Sequence, residues 1–270
     1  MEKQKVKLTQ EKETLLVPLY GKAIASQRPH PIIVDPKAKE ILDGVDYDFR
    51  ELKIPHKTSL MMAMRAKKLD SHVQEYLDRT PDPAVLHLGC GLDSRVLRVK
   101  PEKGEWYDLD FPEVIELRKK FYDETDNYHM IPSSVTELSW LDCVKGNGHA
   151  YIIAEGLLMY LHEEEVKQLF IALQKRLPSS EISFDAYSRF TAKSANNHPS
   201  IKKTGARLHW GLDDFVEIKD WGTGIELLEE WYFSSSKDIP YLGFWDRFMF
   251  RTMGAFRAAN IAHRILHVRL

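Results

Sequence analysis

The stretch Ala84–Arg95 reads AVLHLGCGLDSR, an apolar run followed by Gly-Cys-Gly and then by an acid, a hydroxyl and a base. The run Val85–Leu88 predicts a short buried strand, which Gly89 and Gly91 follow directly. Glycine adopts positive φ easily and has no Cβ, so this pair indicates a tight turn that a ligand can approach closely. In open α/β sheets, ligands bind beyond the carboxyl ends of the strands. The stretch therefore predicts a nucleoside-binding turn leading into a helix whose first N–H groups face the ligand.

The next predicted strand, Trp106–Asp110 (WYDLD), ends on an acid. A carboxylate about 20 residues after such a turn accepts hydrogen bonds from ribose hydroxyls in nucleotide-binding folds. We therefore interpret Asp110 as the ribose-binding acid, the alternative being a surface aspartate at a strand end. Ser94 stands where the NAD fingerprint G-x-G-x-x-G/A has its third glycine. That difference disfavours NAD without excluding it.

The remainder of the chain alternates predicted strands and helices. HEEEVKQLFIALQKRL (162–177) has acids in its first turn and bases in its last, as the helix dipole favours. Further strands are predicted at AYIIAE (150–155), EISFDA (181–186), GIELLEEWYF (224–233) and ILHVRL (265–270). This order predicts an α/β fold with a mostly parallel sheet covered by helices on both faces. We expect ILHVRL to be the last strand, and an antiparallel edge strand is common on such sheets.

The chain before the glycine turn reads as helical and polar. SLMMAMRAKKLDSHVQEYL (59–77) is a long amphipathic helix by its spacing, and TPDPAV (80–85) interrupts the pattern. We therefore predict an N-terminal helical cap over residues 1–80 and a core over residues 81–270, forming one structural unit. Near the C-terminus, FWDRFMFRTMGAFRAANIAHR (244–264) predicts a helix with several aromatic residues.

Composition narrows the class of protein. With 270 residues and a net charge of −2, the chain has no bulk field that attracts nucleic acid or an anionic membrane. Cys90 and Cys143 are the two cysteines, which indicates a reducing compartment and neither a disulfide framework nor a metal site. The N-terminus lacks an apolar signal region. We expect a cytoplasmic protein with no membrane or nucleic-acid partner, and the C-terminal aromatic helix suggests a homodimer interface.

Four blocks together resemble the leucine carboxyl methyltransferase family. They are ETLLVPLYGKAIASQRPHPIIVDPKAKEI (13–41), LHLGCGLDSR (86–95), WYDLDFPEVIELRKKF (106–121) and IIAEGLLMYL (152–161). Within that family they are most similar to the bacterial branch of tetracenomycin-type polyketide O-methyltransferases. The resemblance implies a class I, Rossmann-like methyltransferase with a seven-stranded sheet. It also implies S-adenosylmethionine as cofactor, S-adenosylhomocysteine as product, and a small-molecule acceptor with a hydroxyl or carboxyl oxygen.

The resemblance also implies roles for individual residues. The implied cofactor-binding positions are Gly89 and Gly91 (turn), Asp110 (ribose), Ser134 and Val135 (adenine), Glu155 (methionine part), Arg65 (methionine carboxylate) and Lys22 (a basic position). Tyr160 matches a substrate-side tyrosine and is the candidate catalytic residue, with an aromatic packing role as the alternative. Ser134 and Thr136 replace the acid and arginine of the eukaryotic enzymes that methylate protein C-termini, which disfavours that activity.

Several alternatives remain open at this level. One is an NAD(P)-dependent oxidoreductase, and another is a degenerate methyltransferase fold that binds the cofactor without turnover. RNA methylation has less support, because no Asn-Pro-Pro-Tyr type of motif follows the strand at 150–155. Five other polar residues are interpreted as core, turn, packing or surface positions: His87, Cys90, Tyr187, Arg189 and His209.

Overall fold

A computed structural model describes residues 4–5, 15–47, 49, 54–99, 101, 104–145, 148–197, 201 and 205–270. The strands are β1 (Gln4–Lys5), β2 (Val45–Asp46), β3 (Ala84–Leu88), β4 (Glu105–Asp110), β5 (Tyr128–Pro132), β6 (His149–Ala154), β7 (Ser179–Tyr187), β8 (Glu226–Tyr232) and β9 (His263–Arg269). The helices are α1 (Leu16–Ser26), α2 (Pro36–Gly44), α3 (His56–Arg79), α4 (Arg95–Val99), α5 (Pro112–Arg118), α6 (Glu163–Arg176), α7 (Arg189–Ala195), α8 (Val216–Lys219), α9 (Phe244–Gly254) and α10 (Arg257–Ile261). Short 3₁₀ turns include Leu158–Tyr160 and Phe233–Ser235.

The central sheet has seven strands in the order β5-β4-β3-β6-β7-β9-β8. Strands β3 to β7 pair in parallel, and β9 pairs antiparallel with both β7 and β8. The mostly parallel sheet is confirmed, but the last strand lies inside the sheet and β8 forms the edge. The inner position of β9 and the edge position of β8 agree with their burial, because Arg264–His267 of β9 are buried whereas β8 is half-buried along most of its length.

Strand β5 was not among the predicted strands. Its sequence, YHMIP, is short, mixes polar and apolar residues and ends on Pro132, so no clear strand period appears. The predicted C-terminal helix is divided into α9 and α10, since Phe256 between them has extended backbone. No helix in the described part of the chain combines the length and hydropathy of a membrane span.

Helices cover both faces of the sheet, as predicted. Leu86 and Ile152 face one side and pack with α6 through residues such as Phe170. Val85 and Ile153 alternate to the other side and pack with α3 and α1. The N-terminal helices therefore share a hydrophobic core with the sheet.

The segment between β8 and β9 packs against the N-terminal helices. Leu60 and Met64 of α3 share a buried cluster with Phe233 and Phe250, and the latter lies in α9. At the start of α3, a ring nitrogen of His56 lies 3.0 Å from a carboxylate oxygen of Asp246 in α9. The segment between β8 and β9 thus packs directly on the N-terminal helices.

Candidate cofactor and acceptor site

The predicted glycine turn follows β3. Gly89 and Gly91 have φ of +63° and +52°, in the left-handed region that favours glycine. A Cβ on Gly89 would lie 3.0 Å from a methyl carbon of Leu157. The Cys90 N–H donates to the Leu109 carbonyl at 3.1 Å, which fixes the turn beside the end of β4. The positive φ and the close contact with Leu157 explain why glycine stands at position 89.

Asp110 lies at the end of β4, next to this turn. One carboxylate oxygen accepts from Gly91 N–H at 2.7 Å, and the other accepts from Phe111 N–H at 2.8 Å. Burial raises the pKa of Asp110, and the two N–H donors oppose that rise. A carboxylate has about four acceptor positions, so two remain for a ribose diol. The structure thus fits the predicted role of Asp110.

The loop predicted to contact adenine follows β5. Ser133 N–H donates to the Asp110 carbonyl at 3.0 Å, so the loop begins beside Asp110, the acid predicted to bind the ribose. Val135 is buried in the core, and its carbonyl accepts from the Trp140 indole N–H at 3.1 Å. Ser134 is half-buried, with its hydroxyl 2.8 Å from that of Thr136. Of the two predicted residues, Ser134 has the more accessible side chain.

Glu155 directly follows β6 and is held by two arginines. Its side chain is 5% exposed; one oxygen accepts from Arg65 Nε at 2.9 Å and the other from Arg95 Nη2 at 2.5 Å. Burial alone would raise the pKa of Glu155, but the two guanidinium groups outweigh it and lower the pKa to about 2. Glu155 is therefore an ionised buried acid at the predicted methionine position.

Arg65 joins Glu155 to a second carboxylate. Its Nη1 donates to Asp185 Oδ2 at 2.6 Å, in addition to the bond from Nε to Glu155. Sequence reasoning predicted that Arg65 pairs with the cofactor carboxylate, and the structure shows it bound between two protein carboxylates. A guanidinium has five N–H donors, so these two bonds do not exhaust it. The predicted pairing stays a prediction.

Lys22 of α1 is buried and forms an ion pair with Asp93, which directly follows the glycine turn. The other oxygen of Asp93 accepts from Arg95 N–H at 2.7 Å and lies 3.0 Å from Arg98 Nη2. Arg98 also pairs with Asp35 and Asp70. Lys22 thus belongs to a buried network of ion pairs next to the glycine turn. Arg95 connects this network to Glu155.

Sequence reasoning missed most members of this network. These are Asp35, Asp70, Asp93, Arg95, Arg98 and Asp185. The local signal was the run of charges in LDSRVLR (92–98), since charges so close to a buried strand need partners. Their partners lie on α1 (Lys22), before α2 (Asp35), on α3 (Asp70) and after β6 (Glu155), which no local pattern indicates.

A separate buried ion pair contacts the backbone of the glycine turn. Asp108 of β4 and Arg118 of α5 are both fully buried, with Arg118 Nη2 2.5 Å from Asp108 Oδ2. Arg118 Nη1 also donates to the Gly91 carbonyl at 3.0 Å. Burial alone would raise the pKa of Asp108, and Arg118 lowers it to about 2. Neither residue was predicted as part of the site.

The lowered pKa of Glu155 makes stability depend on pH. In the unfolded chain its pKa is the ordinary 4.5, so its stabilising contribution is complete above pH 4.5 and is lost as the pH falls towards 2. We expect Glu155→Gln to unfold at lower urea concentration than the parent protein at pH 7, with the difference shrinking between pH 4.5 and 3. Urea unfolding followed by fluorescence at several pH values measures this. A difference that stays constant with pH would contradict the assignment.

Tyr160 ends the 3₁₀ turn that follows Glu155 and is half-buried. Like Tyr187, it packs against a small cluster formed by Met159, Ala192 and Leu208. The carbonyl of Met159 accepts from His209 N–H at 2.8 Å, which attaches residues 205–212 to this turn. The structure therefore brings Tyr160 next to residues 205–212.

The other polar candidates lie where the sequence analysis placed them. His87 and Cys90 are buried, and burial raises the pKa of the Cys90 thiol. Arg189 and His209 are exposed, and Arg189 pairs with Glu217. Within the described residues, no group of three or more His, Cys, Asp or Glu side chains could hold a metal ion.

The match to a known family decides the class. The family model for leucine carboxyl methyltransferase matches residues 16–174. The chain belongs to this family. It is 38% identical over 238 residues to the tetracenomycin polyketide synthesis O-methyltransferase TcmP of Streptomyces glaucescens, covering 88% of this chain and 87% of that protein. It is 30% identical over 256 residues to the S-adenosyl-L-methionine-dependent methyltransferase dpfgK of Gibberella zeae, covering 86% and 85%.

Solved structures show the same fold. A DUF574 family protein from Streptomyces avermitilis aligns with a TM-score of 0.57 at 13% identity, over 91% of this chain and 99% of that one. A SAM-dependent methyltransferase from Anabaena variabilis aligns with a TM-score of 0.51 at 12% identity, over 76% and 84%. The Rossmann-like methyltransferase fold is thereby confirmed.

These relationships confirm the predicted activity. The protein is an S-adenosylmethionine-dependent O-methyltransferase. The residues at the carboxyl ends of the strands fit that cofactor: a glycine turn for the nucleoside, an acid with spare acceptor positions for the ribose, and buried carboxylates for a cationic amino-acid part. The NAD(P)-dependent alternative gains no support from any of these matches.

Proposed function

We propose that the acceptor is a small aromatic, polyketide-like molecule methylated on oxygen. The observation that carries this proposal is a group of aromatic side chains at the carboxyl ends of the strands, beside Glu155. Tyr160, Tyr187 and His263 lie there, with the Tyr187 and His263 rings stacked at 4.3 Å. Flat aromatic side chains bury planar ligands well. The likeness to TcmP, whose name records an O-methyltransferase of polyketide synthesis, supports the same acceptor class.

The reaction asks three things of the protein. S-adenosylmethionine supplies a methyl group on a positively charged sulfur, which is already a good leaving group. The protein must align the acceptor oxygen with that methyl group, exclude water and remove a proton where the acceptor carries one. Asp110 and the glycine turn hold the nucleoside end. Glu155 and Asp185 supply negative charge for the cationic end, and Arg65 fixes both carboxylates in place.

Cofactor binding and transfer test the proposal separately. Calorimetric titration with S-adenosylmethionine, S-adenosylhomocysteine and NADH should give micromolar binding of the first two and none of the third. Incubation with a labelled methyl donor should then give methylated product from bicyclic and tricyclic phenols or aromatic acids. Binding without transfer to any of these acceptors, but with transfer to a peptide C-terminus, would contradict the proposed acceptor class.

Tyr160→Phe tests the acceptor side of the site. We expect unchanged affinity for S-adenosylhomocysteine and a 2- to 10-fold rise in the KM for the acceptor, since one neutral hydrogen bond contributes about 0.5–1.5 kcal/mol. Steady-state kinetics with saturating cofactor measure this. If the substitution lowers thermal stability and leaves KM unchanged, Tyr160 has a packing role only.

We also propose that the protein is cytoplasmic and forms a homodimer. Cys90 and Cys143 are free thiols, which fits a reducing cytoplasm. A homodimer, with no nucleic acid or membrane as partner, stays a prediction. Light scattering across a hundredfold range of concentration measures the oligomeric state.

A further inference from the structure

Helix α9 (Phe244–Gly254) is apolar on two opposite sides. Its inner side packs on α3, where the buried Phe250 clusters with Leu60 and Met64. Its outer side carries Phe244 and Phe248, which are exposed. A helix of a globular protein normally has one apolar side and one polar side, and a helix that is apolar all round is normally buried. The composition of the outer side is therefore that of a contact surface.

The outer side of α9 forms a continuous surface, which we call the α9 face. Residues three and four apart lie next to each other along one side of a helix. The exposed residues that follow this spacing define the α9 face, and they are Phe244, Trp245, Phe248, Arg251, Thr252 and Ala255. Tyr241 shortly before the helix and Phe256 shortly after it are exposed as well.

The exposed rings provide nearly the area that a stable dimer needs. Five aromatic residues in and beside α9 are between 57% and 77% exposed, namely Tyr241, Phe244, Trp245, Phe248 and Phe256. Since an aromatic side chain presents about 150–250 Å², their exposed share amounts to roughly 500–850 Å² on one copy of the chain. Specific protein interfaces bury about 800 Å² on each partner. The remaining members of the α9 face add to that area, so the surface has the size of a stable interface.

The two halves of the α9 face differ in the size of their side chains. The first half carries the large rings of Phe244 and Trp245, whereas the second half carries the small side chains of Thr252 and Ala255. Two copies packed antiparallel about a two-fold axis at Phe248 place the large half of each against the small half of the other. A surface that matches itself under a two-fold rotation is what a symmetric dimer requires.

The charge on the α9 face fits the same arrangement. Arg251 is exposed and is the charged member of the face. In the antiparallel arrangement it lies opposite Trp245 of the second copy, and a guanidinium over an indole ring is a favourable cation–π pair. The two-fold symmetry forms that contact twice. Antiparallel packing also brings the positive end of each helix dipole beside the negative end of the other.

A second copy fits this face better than an anionic surface does. A helix that lies on a membrane is typically rich in Lys and Arg on its polar side, whereas α9 holds two arginines and one aspartate. The net charge of the chain is −2, so no bulk field draws it to anionic lipid or nucleic acid.

We propose that the α9 face is the homodimer interface and that the α9 face of a second copy occupies it, packed antiparallel. This inference rests on the homodimer of the proposed function and locates its interface. In the dimer, α9 lies between α3 of its own chain and α9 of the second copy. The rings that are exposed on one chain are then buried at the centre of the interface, where aromatic residues contribute most to binding.

The first experiment measures the dimer Kd by sedimentation velocity over a hundredfold range of concentration. We expect Phe248→Glu to raise that Kd by about 100-fold or more, because the dimer would bury the new charge twice. Phe190→Glu is the matched control, since Phe190 on α7 is 81% exposed and lies outside the α9 face. Its dimer Kd should equal that of the parent protein. Circular dichroism should show both variants folded, because each replaces an exposed side chain.

A second experiment tests the antiparallel register. Trp245→Lys places a cation opposite Arg251 of the second copy, and we expect the dimer Kd to rise by about 100-fold or more. Adding Arg251→Glu gives two pairs of opposite charge in that register, so the double variant should return to within about tenfold of the parent Kd. A double variant that dimerises no more tightly than Trp245→Lys alone would overturn the antiparallel arrangement.

The parent protein separates failure of the homodimer from failure of this interface. A parent that stays monomeric over the whole range overturns both. A dimer that Phe248→Glu leaves intact overturns the interface at α9 and leaves the homodimer standing. A monomeric parent that sediments with phosphatidylglycerol vesicles, and loses that binding in Phe248→Glu, would assign the face to a membrane and also overturn the inference. Methyl transfer is assayed separately, so the activity is judged independently of these outcomes.

Discussion

Asp110→Asn is expected to raise the Kd for S-adenosylhomocysteine by about 10- to 100-fold. The carboxylate has two acceptor positions available for a ribose diol after its bonds to Gly91 and Phe111 N–H. Hydrogen bonds to a charged group contribute about 1.5–3 kcal/mol, and 1.4 kcal/mol corresponds to tenfold in affinity. The asparagine keeps the size of the side chain and one acceptor oxygen, so the fold of the turn should survive.

Calorimetric titration at fixed salt concentration measures the change in Kd. Asp126→Asn is the matched control, because Asp126 is exposed and lies outside the glycine turn. Its Kd should equal that of the parent protein. Equal affinity in Asp110→Asn, with an unchanged circular dichroism spectrum, would remove Asp110 from the site.

Asp108→Ala is expected to give the largest loss of stability, about 3–5 kcal/mol. The substitution leaves Arg118 fully buried without its carboxylate. It also removes the acceptor for the Tyr128 hydroxyl at 2.6 Å and for the Trp106 indole N–H at 2.9 Å. At about 2–4 °C per kcal/mol for a chain of roughly this size, the melting temperature should fall by roughly 10 °C.

Thermal and urea unfolding measure this loss, and a double variant gives the sharper test. In Asp108→Leu with Arg118→Met, both charges are removed together, and we expect a smaller loss than in Asp108→Ala because no buried charge is left unpaired. Since Arg118 also donates to the Gly91 carbonyl, the double variant should bind S-adenosylhomocysteine more weakly than the parent. A double variant less stable than Asp108→Ala would contradict this account of the pair.

The local features of the site follow directly from the sequence. Gly89 and Gly91 come immediately after an apolar strand, and Asp110 ends the next one, so the turn and the acid beside it are set by neighbours in the chain. The same holds for α6, whose charges match its dipole and whose apolar spacing fits one face of the sheet. In each case, the information lies within about 20 residues, over which turn geometry and hydrophobic periodicity act.

The contacts around Asp185 depend on distant parts of the chain. Asp185 reads in the sequence only as an acid near the end of a strand, and its partners Arg65 and His263 are 120 and 78 residues away. The antiparallel pairing of β9 with β7 brings His263 to Asp185.

The sequence by itself determined the sheet class, the glycine turn and the position of Asp110 beside that turn, because these depend on contacts between neighbours in the chain. Only the tertiary structure decided the strand order at the β8 edge, the partners of Arg65 and Glu155, and the pairing of His263 with Asp185. The physical reason is that a buried charge must find an opposite charge, and any of several distant carboxylates could satisfy it until the packing of helices and strands selects one.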